Sequence, residues 1–111
     1  MDVKAISKYV RISPHKARDV ARLLRGKKAQ DALTQLEFIP KKAARLIQKT
    51  LKSAIANAEN NHDLLVEELF VKEAVVDEGP RMKRFVAKAR GMAGRILKRT
   101  SHFKIVLSDE A

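Results

Sequence analysis

Residues 81–104, RMKRFVAKARGMAGRILKRTSHFK, hold nine cations: Arg81, Lys83, Arg84, Lys88, Arg90, Arg95, Lys98, Arg99 and Lys104. No carboxylate interrupts them. Cations at this density suit one kind of chemistry: they neutralise phosphates and release the counterions condensed on a polyanion. Phe85, Val86, Met92, Ile96 and Leu97 are interleaved with them. Solvated, disordered charge runs are usually poorer in such residues. At the centre, Lys88, Ala89, Arg90, Gly91, Met92, Ala93 and Gly94 combine cations with small side chains. Small residues let backbone approach RNA or another chain closely, and a turn that needs glycine accounts for Gly91 or Gly94 equally.

A second basic cluster lies upstream. Arg11, His15 and Lys16 sit at an expected strand–helix corner, and Arg18, Arg22 and Arg25 continue along the helix. A solvated helix face is the plain alternative there, and equally for Lys41, Arg45, Lys49 and Lys52 further on. His15 and His102 stand among cations, where contact with phosphate or ribose fits them. His62 reads as a loop residue near a helix end. No histidine has a second ligand at metal spacing and the chain has no cysteine, so neither a metal nor another cofactor is expected. There is no nucleophile paired with a base and no phosphate-cradling glycine motif, so an enzyme is not expected. Glu67, Glu68, Glu73, Asp77 and Glu78 read as solubilising charges or partners for the chain's own cations.

These side chains need a body to carry them. The chain has 111 residues and a net charge of +11. Outside 81–104 stand the other fifteen of its 24 basic residues and all thirteen acidic ones. The body is thus nearly balanced, and one segment carries the excess. That asymmetry points to a nucleic-acid partner before an anionic membrane. With 45% hydrophobic but only 5% aromatic residues, the core must be mainly Leu, Ile, Val and Ala. No stretch approaches the ~18 apolar residues of a membrane span. The N-terminus has Lys4, Lys8 and Arg11 where a signal peptide would be apolar. A cytoplasmic protein with no membrane or small-molecule partner is the expectation.

The elements follow from pattern. Residues 3–12 read as a strand. Ser13 and Pro14 open a helix as cap and first residue. Ala17, Val20, Ala21 and Leu24 form its inward face, and Gly26 stops it. A second helix covers about 29–38. A third opens at Pro40 and runs to about Asn60, with Ala43, Ile47, Leu51, Ala54 and Ala58 on one stripe. Residues 64–78 turn β-like, and 103–107 form a last strand with Phe103, Ile105 and Leu107 on one face. Two β-prone arms around Gly91–Gly94 predict a hairpin over about 80–102, each arm roughly ten residues and about 30 Å long. The expected architecture is a single α+β domain over 1–111: a three-stranded antiparallel sheet packed on three helices, with a long extended β-hairpin.

The stretches YVRISPHKARDVARLLRGKKAQDAL (9–33), IPKKAARLIQKTLKSAIANAENNH (39–62), VDEGPRMKRF (76–85), ARG (89–91) and RILKRTSHFKIVL (95–107) span nearly the whole chain. In order and spacing they closely resemble the bacterial large-subunit ribosomal protein L-twenty-two family. The resemblance implies a structural protein that binds large-subunit (23S) ribosomal RNA, contacts several of its domains and supports early assembly. Its implied partners are that RNA, neighbouring large-subunit proteins and the nascent polypeptide. By this implication Arg11, Ser13, Lys16, Arg18 and Arg25 anchor the globular part near the polypeptide exit. Lys83, Arg84, Arg95, Lys98, Arg99, Ser101 and His102 hold the hairpin, and Lys88 to Gly94 line the exit tunnel. The chain departs from the family's usual residues at Ala87, Met92 and Gly94. Without the resemblance, a DNA-architectural protein gripping duplex DNA with a basic β-arm is the competing reading.

Overall fold

The computed structural model describes residues 2–79, 82–87 and 93–109, with backbone alone for 82–87 and 93–98. In chain order it contains β1 (Asp2–Val10), α1 (Pro14–Ala21), α2 (Ala29–Phe38) and α3 (Lys42–His62). A 3-10 turn (Val66–Glu68) then leads to β2 (Phe70–Glu78), β3 (Met82–Ala87), β4 (Ala93–Lys98) and β5 (Ser101–Ser108). This is the α+β architecture expected from the pattern.

The main sheet runs β1-β5-β2, antiparallel throughout, so the last strand is the central one. Its register lines up three inward rows: Val3, Leu107 and Val71; Ala5, Ile105 and Ala74; Ser7, Phe103 and Val76. Side chains alternate along a strand, so these rows share one face. The helices cover that face. On α3 the stripe Ala43, Ile47, Leu51, Ala54 and Ala58 is buried, and its alanines let the helix lie close to the sheet. The one polar residue that α3 buries, Thr50, shares a 2.8 Å hydrogen bond with Ser7 of β1. On the far face of α3, Arg45, Lys49 and Lys52 are exposed.

Several boundaries differ from the sequence reading, each for a physical reason. β1 ends at Val10, because the chain turns there to present α1. α1 ends at Ala21, and the chain continues as a turn through Gly26. Gly26 adopts a φ of 78° and donates its N–H to the Val71 carbonyl, while Val71 N–H returns to Lys27. Those sheet-like bonds pull the chain out of the helix. Ser13 occupies the N-cap position of α1, but its side chain makes no capping bond. Pro40 lies before α3, whose N-cap is Lys41. The segment 64–69 holds the 3-10 turn before β2 begins.

β3 and β4 form a separate two-stranded antiparallel sheet, with Met82 opposite Lys98 and Ala87 opposite Ala93. Each has six residues; residues 88–92, where the expected arms continue to the tip, lie outside the described residues. The molecule measures 61 × 26 × 18 Å, with a radius of gyration of 16.9 Å. A compact chain of this length would have about 13 Å.

Candidate nucleic-acid interface

The corner between β1 and α1 is positioned from outside its own sequence. Ser101, at the start of β5, donates its buried hydroxyl to the Ile12 carbonyl at 2.7 Å. Lys42, in the first turn of α3, donates its ammonium to the Arg11 carbonyl at 3.2 Å. The central strand and the longest helix therefore hold one short segment, residues 11–13, between them.

Beside that segment lies a cavity of about 760 Å³. Arg11, Lys16, Lys41, Lys42 and Arg99 line it, and Asp19 is the single carboxylate among its lining residues. The cations come from four places: the β1–α1 connection, α1, the start of α3 and the residues entering β5. α1 and α3 both begin here, with no acidic residue in either first turn and no side-chain cap. Helix N-termini carry partial positive charge and unsatisfied N–H groups. The cavity is thus suited to an anion with several oxygens, such as a phosphodiester backbone.

A smaller groove of about 190 Å³ runs along the other side of α1. Arg18, Arg22 and Arg25 flank it, against Ala74, Val75 and Val76 of β2. Arg18 Nε donates to the Val76 carbonyl at 3.1 Å, which ties α1 to the sheet edge. Arg22 lies 4.0 Å from Asp19, with both side chains mostly in water.

The structure thus brings Arg11, Ser13, Lys16 and Arg99 together, and sets Arg18, Arg22 and Arg25 apart as a second basic face. His15 is exposed in the first turn of α1. Ser101 is fully buried, so its hydroxyl serves the corner from inside. His102 is half-buried, and its Nδ1 accepts the Tyr9 N–H at 3.1 Å. Arg81, Lys88, Ala89, Arg90, Gly91 and Met92 lie outside the described residues, as do the side chains of Lys83, Arg84, Ala93, Arg95 and Lys98; Gly94 is described as backbone within β4. Lys42 is not among the contacts expected from the sequence, and Lys41 belongs there to a helix face left open between nucleic-acid contact and solvent. The available signal was an uncapped helix start directly after Pro40, with two lysines and no acid. Among the described residues no cluster of His, Asp or Glu could hold a metal ion. No described helix is long and apolar enough to cross a membrane.

The model of the family described as ribosomal protein L22p/L17e matches residues 5–108. The large ribosomal subunit protein uL22 of Halothermothrix orenii is 58% identical over 110 residues, covering 99% of this chain and 97% of its own. That of Methylacidiphilum infernorum is 59% identical, over 99% and 96%. The uL22 protein of Syntrophobacter fumaroxidans is 56% identical, over 99% of this chain and all of its own.

Proposed function

The chain belongs to the ribosomal protein L22p/L17e family, and we propose that it is a structural constituent of the large ribosomal subunit that binds ribosomal RNA. The observation that supports this most is the cavity between α1 and α3, where five cations from four segments converge on one concave surface. Phosphate contacts of this kind fix a protein's position on RNA without reading its sequence. The family is non-enzymatic, and this chain's role is accordingly to hold RNA segments.

The basic hairpin extends the same reading. Its arms form their own sheet, and an isolated two-stranded ribbon is marginally stable in water. Nine cations along 81–104 add mutual repulsion, so RNA packed around the arm supplies both neutralisation and contacts. In this proposal the arm bridges RNA segments during early assembly, and residues 88–94 face the path of the nascent polypeptide. Neighbouring large-subunit proteins complete its surroundings.

Binding to transcribed large-subunit RNA, measured across salt concentrations, tests the proposal. We expect saturable binding, with random duplex DNA bound far more weakly. Replacing Lys41 and Arg99 with Gln should weaken RNA binding several-fold and make the salt slope shallower by about 0.7 to 0.9 per lost phosphate contact. Equal affinity for random duplex DNA would instead favour the DNA-architectural reading. In cells, the protein should co-sediment with the large subunit after a high-salt wash.

A further inference from the structure

Tyr9 occupies a position that its own backbone disfavours. Its φ is 58°, in the left-handed region that residues with side chains seldom adopt. The cause is a β-bulge. Ser7 pairs with Phe103 and Val10 with Ser101, so Lys8 and Tyr9 together oppose the single residue His102. Bulges with one residue in the left-handed region generally place glycine there. Here an aromatic side chain stands in its place, and the core does not use it: Tyr9 is 64% exposed.

His102 meets both the backbone and the ring of Tyr9. Tyr9 N–H donates to His102 Nδ1 at 3.1 Å, across 93 residues of sequence. The two rings meet edge to face, with centroids 5.1 Å apart and planes at 89°. Strain retained at a rare backbone geometry, with an open ring set against one histidine as its result, is the pattern of a recognition residue. Two residues further on, Arg11 enters the cationic cavity. Flat rings beside phosphate-binding cations are how proteins take unstacked bases of single-stranded RNA.

We propose that Tyr9 is a stacking platform for an unpaired RNA base, with His102 as the residue that positions it. The flanking phosphates of that nucleotide go to Arg11 and the adjoining cavity. This rests on the RNA-binding reading above, and its test separates the two.

Tyr9 is the only tyrosine and the chain has no tryptophan, so intrinsic emission reports on this ring alone. Titrating the wild-type protein with transcribed large-subunit RNA should quench that emission, whereas heparin, a polyanion without bases, should not. In parallel, Tyr9→Phe should bind the RNA within twofold of wild type. Tyr9→Asn, which tolerates the left-handed backbone, should bind roughly tenfold more weakly with an unchanged salt slope. Arg11→Gln should make the slope shallower. Wild-type RNA binding with unaltered emission, equal quenching by heparin, or full affinity of a folded Tyr9→Asn protein would each overturn the platform alone. Absence of wild-type binding would overturn the RNA reading with it.

Discussion

The Ser101 hydroxyl is buried against the Ile12 carbonyl, so Ser101→Ala leaves that acceptor without its donor. We expect a loss of about 1–3 kcal/mol in urea unfolding. Arg18 has a related double character, since its Nε holds Val76 while the rest of the guanidinium remains near the surface. From the sequence, through the resemblance, both are expected at the RNA. The sequence could not separate structural from RNA-facing roles, because the partners lie 89 and 58 residues away. Asp2 gives a pH signature. Lys72 donates to its carboxylate at 2.8 Å, and this hydrogen bond holds Asp2 below the usual aspartate range. A depressed carboxyl contributes stability above its ordinary value and loses it as pH falls through the lowered one. Both side chains are about half exposed, so the contribution is small. An NMR titration should show Asp2 ionising at lower pH than an ordinary aspartate, and Lys72→Met should return it towards the usual range.

Burial was easier to read than conformation. Leu24 is completely buried, as the helical pattern of Ala17, Val20 and Ala21 requires, although α1 has already ended at Ala21. The apolar pattern specifies which residues face the core. The exit of the chain at Gly26 is decided by bonds to β2, which no local pattern encodes. Likewise the α3 stripe was legible throughout, whereas its first turn depended on what Lys42 reaches. The junction of the main sheet with the hairpin is the most sterically constrained point among the described glycines. Gly79 donates to the Thr100 carbonyl at 2.9 Å. A β-carbon there would stand 2.4 Å from Thr100 Oγ1 and 3.3 Å from both the Thr100 carbonyl carbon and His102 Cε1. Thr100 is itself buried and has little room to yield. Gly79→Ala should therefore destabilise the protein by about 1–3 kcal/mol in thermal or urea unfolding.

For the molecule as a whole, the charge distribution leads to the expectation of a balanced body and a basic arm, and the long axis measures 61 Å. If the body is self-sufficient, deleting residues 86–96 should preserve a cooperative thermal transition while weakening RNA binding and its salt dependence. A lost transition would show that the arm is part of the folding unit. The cationic cavity was only half legible. Its β1–α1 part reads directly from the sequence, but Arg99 and the start of α3 join it through the tertiary fold. The strand order was not legible either, because alternation marks the faces of a strand and not its neighbours. That order has a consequence for biosynthesis. β5 is made last yet lies between β1 and β2, and its first residue fixes the Arg11 corner. Neither the sheet nor the cationic cavity can close until β5 has left the ribosome that is making it. Truncation before Ser101 should therefore abolish the cooperative transition.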